Sequence, residues 1–399
     1  MRTAALVAMV LAGASACLAG AAPDGAWTDG LDEPLLYLHP EVNYALHPEQ
    51  QELWERRRLG PGAMRLVLGS SATDELMIDM HWTANPQLAG GGLRLRADLV
   101  WQEQRHLPAE RQDVWLGLEQ PVRGRWAVTA QLNPAEAKEE MDLRAGVTWT
   151  SPDRARYVEV LYLAEDIVRD GKDDRRPVTD SPSRGVAWSA RLAGGPWSLV
   201  TEGRWTSGFR RRYPDPEASP DLAARDGADN SLLVRGRWQP APRAQVSLAW
   251  RHAEDDQRQV AREPDAACSH DYAGWYRLLS LRALLPLDDR WRLRGELHRA
   301  DRRAHADGWR ALAYRRRDIM PGLWVERRLG AVHHLTLGYL GAAYRWRRDE
   351  AAPREGFADK VELAATFGLS RGARLAVSLS HEVSLERFGG ASVRLAASW

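Results

Sequence analysis

Two groups of residues in this chain have types and spacings that could do chemistry. The larger is a set of arginines, Arg94, Arg96, Arg144, Arg204, Arg235, Arg237, Arg251, Arg292 and Arg294, joined by Glu296, each standing among apolar neighbours at alternate positions. A guanidinium stays charged at any working pH and offers a rigid fork of donors. Many of them facing one confined aqueous path would attract and select anions. The same arginines could instead pair with Asp98, Glu202, Glu362 and Glu382 to brace a wall. The smaller group consists of histidines near serines and carboxylates: His298 beside Glu296, Ser380-His381, Cys268-Ser269-His270-Asp271 and His333-His334. Hydrolysis by a serine needs a histidine base within hydrogen-bond reach. His298 has no serine in an evident relation to it, and alternation sets Ser380 and His381 on opposite faces. The 268–271 run is a set of chain neighbours, which does not make a triad. Neither that run nor the His333-His334 pair has the ligand spacing of a zinc site. No catalytic residue, cofactor or metal is therefore expected, and the chemistry pointed to is that of a charged passage.

The elements that must position the arginines are strands. Leu93, Leu95, Ala97, Leu99 and Trp101 alternate with Arg94, Arg96, Asp98 and Gln102. The same period of two runs through Met141–Trp149, Trp291–His298, Val361–Leu369 and Ala391–Trp399. It gives each strand one apolar and one polar face. Short turns such as "SPDR" (151–154), "GGP" (194–196) and "LDDR" (287–290) alternate with long charged links at 166–183, 208–229 and 254–271. Counting hairpins backward from Trp399 gives strand pairs near 373–385/390–399, 332–347/356–369, 290–302/318–329 and 243–254/274–285. Further pairs fall near 196–207/229–239, 154–165/184–193, 123–132/139–150 and 92–104/112–119. The expected fold is all-β, a transmembrane antiparallel up-and-down β-barrel of about 16 strands, with 18 (adding Ala63–Gly69 and Glu75–Thr83) or 14 as alternatives.

The chain holds 18 tryptophans against 4 phenylalanines. Trp126, Trp149, Trp197, Trp238, Trp291 and Trp399 fall beside short turns, and Trp101 and Trp205 toward the long links. An indole favours the lipid–water boundary, where its ring is buried and its N–H hydrated. These eight form the expected aromatic girdle. With its alternating strands, its short and long links and its ending Ala391/Val393/Leu395/Ala397/Trp399, the sequence resembles bacterial outer-membrane β-barrel proteins of the porin-like kind over residues 63–399. The resemblance implies an outer-membrane location, lipid as partner, and recognition by the barrel assembly machinery through the strand ending in Trp399.

The bulk numbers agree with a barrel and exclude other classes. Mean hydropathy is −0.48, and no stretch beyond the first residues approaches the run of a spanning helix. Net charge is +1, so no basic field for nucleic acid exists. Of 55 basic residues only Lys138, Lys172 and Lys360 are lysine. Residues 1–21 read as a signal peptide, with Arg2 ahead of an apolar run and Ala19-Gly20-Ala21 as its cleavage pattern. Cys17 follows a run that resembles a lipoprotein box but lacks its leucine. Residues 22–62 lack period-two order and are expected to form a periplasmic or lumenal segment, the barrel occupying 63–399. The function expected is a diffusion or export pore passing anionic solutes or an acidic polysaccharide. The alternative is a structural or assembly barrel that houses or docks a partner protein without conducting.

Overall fold

The computed structural model describes residues 55 and 57–399, apart from 72–75, 89–91, 105–110, 134–141, 154, 166–177, 213–221, 262–269, 308–313, 331–332, 349–351, 371 and 385. The signal-peptide reading, Cys17, Cys268 and Ser269 therefore lie outside the described residues. Twenty strands form one antiparallel sheet. The first ten are β1 (Gly62–Ser71), β2 (Leu76–Ala84), β3 (Arg94–Gln104), β4 (Arg111–Arg123), β5 (Trp126–Leu132), β6 (Leu143–Thr150), β7 (Tyr157–Ala164), β8 (Val178–Ser181), β9 (Arg184–Gly194) and β10 (Trp197–Thr206). Then come β11 (Phe209–Arg212), β12 (Leu222–Ala241), β13 (Ala244–Ala261), β14 (His270–Pro286), β15 (Trp291–Asp307), β16 (Tyr314–Arg328), β17 (His334–Arg348), β18 (Arg354–Ser370), β19 (Ala373–Glu382) and β20 (Arg387–Ser398).

Eighteen of these strands close a barrel, while β8 and β11 form an extra short pair within two of the long links. The count corrects the expectation of 16. The two added strands are β1 and β2, which hydrogen-bond to each other from Gly62↔Ala84 to Ser70↔Leu76. Closure needs them, because β1 pairs with β20 from Ala63↔Ser398 to Ser71↔Gly390. A sheet in lipid leaves no edge unpaired. Several strands also outrun their expected ends. β13 continues to Ala261 and β12 starts at Leu222, within stretches that read as links. Above the membrane both faces of a strand are wet, so the apolar alternation that marks a strand disappears there.

The burial pattern is the inverse of a soluble protein's. On β5, Trp126, Val128 and Leu132 are exposed, while Ala127, Thr129 and Gln131 between them are buried. On β20, Ser392, Arg394 and Ala396 face in. An outward apolar band around an inward polar face is the arrangement of a transmembrane barrel. Turn chemistry sets the hairpins at the short-turn end. Gly124 and Gly195 take φ of 59° and 55°, a left-handed conformation that glycine adopts without steric cost. Asp288 accepts hydrogen bonds from the backbone N–H of Arg290 (2.6 Å) and Trp291 (2.7 Å). Those two N–H groups hold its carboxyl below the ordinary range.

The seam explains the tryptophan at position 399. Its N–H donates to the Gly62 carbonyl at 3.0 Å, and the Gly62 N–H donates to its carbonyl at 3.3 Å. The indole lies over Gly62 so closely that a Cβ there would meet ring atoms at 2.5–2.6 Å. Only glycine leaves room for ring and seam together. Gly62→Leu is therefore expected to cut sharply the yield of the compact, heat-modifiable barrel band on a semi-native gel. Unchanged folding would contradict this account of the seam.

Candidate functional site: the lumenal arginine network

The alternation that turns leucines to lipid turns a ladder of ionic groups inward. Arg96 on β3 donates to Glu119 of β4 (2.9 Å) and to Glu159 of β7 (2.7 Å). Arg94 also reaches Glu119, at 3.1 Å. Three strands separate β3 from β7 in the wall. An Arg96–Glu159 contact therefore reaches through the interior over β4, β5 and β6. Gln131 of β5 completes the bridge by donating to Asp98 at 2.9 Å. Arg96 is 0% exposed.

Glu55, Arg57 and Arg58 enter this network from the short-turn end. Arg58 donates to Asp98 (2.9 Å), Glu159 (3.1 Å) and Thr83 (2.9 Å). Arg57 reaches Ser189 (3.0 Å) and Glu202 (2.9 Å). Glu55 accepts from Arg235 (3.0 Å) and Arg237 (3.1 Å). In the wall β12, which carries the last two, stands nine strands away from β1. Glu55, Arg57 and Arg58 thus tie β2, β3 and β7 to β9, β10 and β12 from inside. Residues 22–54 and 56 lie outside the described residues.

A second cluster occupies the opposite wall. Arg282 of β14 donates to Glu296 of β15 at 2.5 Å, and Arg292 to Glu326 of β16 at 2.7 Å through Nε. Arg294 stands between them, 3.7 Å from Glu296 and 3.4 Å from Glu326, with its guanidinium 4.4 Å above the Trp324 ring. Arg394 binds Glu362 at 2.8 Å. Arg204 is 3.6 Å from Asp229, and Arg144 lies 3.8 Å over the Trp115 ring. Arg251 is half-buried on β13, opposite Leu233 and Leu278. Above the second cluster the inner wall becomes apolar, with Leu278, Ala300, Met320, Trp324, Leu340 and Ala342 packed together.

One constellation escaped the sequence reading. His298 Nδ1 lies 2.9 Å from Ser280 Oγ, and its Nε2 lies 2.8 Å from Glu296. This corrects the expectation that His298 has no serine partner. Ser280 and His298 are directly opposed on β14 and β15, so the register of the "LDDR" hairpin held the missing signal. The distances match a nucleophile, base and carboxylate, yet the surroundings do not serve one. His298 is 2% exposed, Glu296 is already held by two arginines, and the neighbouring positions carry Leu278, Ala300 and Met320. The trio is a hydrogen-bonded part of the wall. Elsewhere His381 is exposed on the lipid face, His333 tilts against Phe367 at 6.0 Å, and His252 lies 2.8 Å from Glu254. Among the described residues no group of three metal-ligating side chains comes together.

The eight tryptophans expected to form the girdle stand on the outward face, whereas Trp115, Trp324 and Trp346 are buried on the inner one. Trp126, Trp197, Trp205, Trp238, Trp291 and Trp399 are exposed, and Trp101 and Trp149 are half-buried. Trp197 stacks on Trp238 at 5.7 Å across the β10–β12 pair, and Trp126 is opposite Trp149. Arg327 lies 5.3 Å over Trp291 at the same end.

Closed pairing, an apolar exterior and a charged interior define the class: a closed antiparallel β-barrel of the transmembrane kind. No family model matches the sequence, nor does any curated protein. Solved structures are similar over most of the chain, at low identity. A bacterial polysaccharide outer membrane secretin is 8% identical with a TM-score of 0.44, over 85% of this chain and 99% of that one. OccK10 (OpdN) of Pseudomonas aeruginosa is 11% identical with a TM-score of 0.40, over 85% and 98%. Wzi of Escherichia coli, described as a carbohydrate-binding β-barrel involved in group 1 capsule assembly, is 8% identical with a TM-score of 0.40, over 90% and 92%.

Removing one partner of a buried ion pair leaves the other charge uncompensated. Both side chains of the Arg96–Glu159 pair are 1–2% exposed. Glu159→Ala is therefore expected to lower stability by about 3–5 kcal/mol in urea titrations of the folded barrel. Ser280→Ala, which costs His298 one neutral hydrogen bond, is expected to cost only about 1–2 kcal/mol. Equal effects of the two would contradict the network as described.

Proposed function

We propose that the barrel is an outer-membrane channel whose arginine-rich lumen passes anionic solutes or an acidic polysaccharide. One observation supports this most: five lumenal carboxylates are shared, each accepting from or facing two guanidinium groups. Glu55 serves Arg235 and Arg237, Glu119 serves Arg94 and Arg96, and Glu159 serves Arg58 and Arg96. Glu296 lies between Arg282 and Arg294, and Glu326 between Arg292 and Arg294. Sharing leaves positive charge in excess along the wall, and charge lining a low-dielectric passage sets the sign of what enters. In this reading residues 1–21 are the export signal, the last strand is what the assembly machinery reads, and the outward tryptophans are the girdle.

A second reading rests on Glu55, Arg57 and Arg58, whose contacts reach both sides of the wall from within the lumen. A barrel whose bore holds a polypeptide would serve structure or assembly and would not conduct.

Swelling of vesicles carrying the refolded chain separates the two. The channel reading predicts faster entry of an acidic oligosaccharide than of a neutral one of equal size. Arg294→Gln removes one shared cation while Glu296 keeps Arg282 and Glu326 keeps Arg292, and it is expected to reduce that preference by roughly twofold or more. Exclusion of both sugars by the wild type, with entry gained by Glu55→Ala/Arg57→Ala/Arg58→Ala, would favour the occupied barrel instead.

A further inference from the structure

The arginines of the lumen are matched by a second set that faces the other way. On four consecutive strands the outward apolar face gives out at one level. Leu279, Leu281, Leu297, Ile319, Leu323, Leu337 and Tyr339 are exposed below it. The cross-strand row above carries Arg277, Asp301, Arg317 and Arg345, one each from β14, β15, β16 and β17. The next row carries Trp275, Arg303, Arg315 and Arg347. All of these but Arg277 border a cleft of about 360 Å³, joined by Arg302, Arg316 and Trp346 from the positions between them.

Among the described residues the charge in this cleft is not balanced. Asp301 is taken by Arg299 (2.8 Å) and Arg317 (2.7 Å), and Glu355 stands 3.3 Å from Arg345. Arg303, Arg315 and Arg347 find no carboxylate among the described residues, although they sit side by side across two strand pairs. Like charges directly opposed in a sheet repel. An anion supplied from outside the chain would relieve that repulsion, and guanidinium forks fit phosphate oxygens in pairs.

Height identifies the source of the anion. Below the cleft Arg327 and Trp291 mark the short-turn boundary on the same strands. From Arg327 to Arg317 on β16, at about 3.3 Å per residue and a tilt of roughly 40°, the rise is about 25 Å, the height of the apolar band of such barrels. The cleft therefore stands at the outer boundary of the membrane, at the long-link end, open sideways to lipid. We infer that it binds the phosphate-bearing headgroup of an anionic lipid in the outer leaflet, its phosphate held by Arg303, Arg315 and Arg347 and its acyl chains lying on the leucines below.

Native mass spectrometry of the detergent-solubilised full chain tests this with a bis-phosphorylated acyl-disaccharide lipid, the same lipid without phosphate, and inorganic phosphate. The expected result is retained adducts of the phosphorylated lipid alone, reduced about tenfold or more in Arg303→Gln/Arg315→Gln/Arg347→Gln. Arg243→Gln/Arg290→Gln, at the short-turn end, should retain the wild-type level. If the triple variant does not fold, Arg315→Gln alone is read in the same assay and should show a smaller loss. Equal retention of the phosphate-free lipid, or undiminished adducts in the arginine variants, would overturn the proposal. Inorganic phosphate binding as well as the lipid would also overturn it, by showing an anion site that owes nothing to the membrane.

Discussion

Everything in this molecule follows from one constraint: a β-sheet in lipid must pair every backbone group within itself. The β1–β20 ladder satisfies it, and the seam is completed by the exchange between Gly62 and Trp399 beneath the indole. Once the sheet is closed, alternation has only one consistent solution. Leucines and tryptophans go out to lipid, and arginines and carboxylates go in. The interior is then a place where charges are crowded and poorly hydrated, so they must find partners in one another.

The lumen is organised by how that crowding is resolved. Arg96 and Glu159 meet although three strands separate them, and Glu55, Arg57 and Arg58 fasten chain from outside the sheet onto six of its strands. On the other side Arg294 is shared by two glutamates. Sharing of this kind braces the wall. Under the proposed function, bracing and anion attraction are two results of one arrangement, where the sequence alone presented them as competing readings of the same arginines.

The strands were legible because lipid and lumen impose opposite demands on neighbouring residues, and the period of two survives wherever both demands act. It fails beyond the membrane, and β12, β13, β15 and β16 accordingly run past the ends that the pattern marks. The first hairpin was the weakest signal, since Gly62–Ser71 is short of charge on its inner face, yet it supplies the closing strand. Individual lumenal arginines could be named from alternation. Their partners could not, because Arg96–Glu159 and Glu55–Arg237 depend on curvature and on the path of an irregular segment. Ser280–His298 was within reach, being a directly opposed pair in a tight hairpin. The outward arginine rows needed the register of four strands at once.

The central claim is that the lumen conducts and prefers anions. Single-channel recording of the refolded chain in a planar bilayer under a salt gradient tests it most directly. The account predicts steady conductance with a reversal potential displaced toward that of chloride. A reversal potential on the cation side, or no conductance from a barrel shown to be folded, would contradict it.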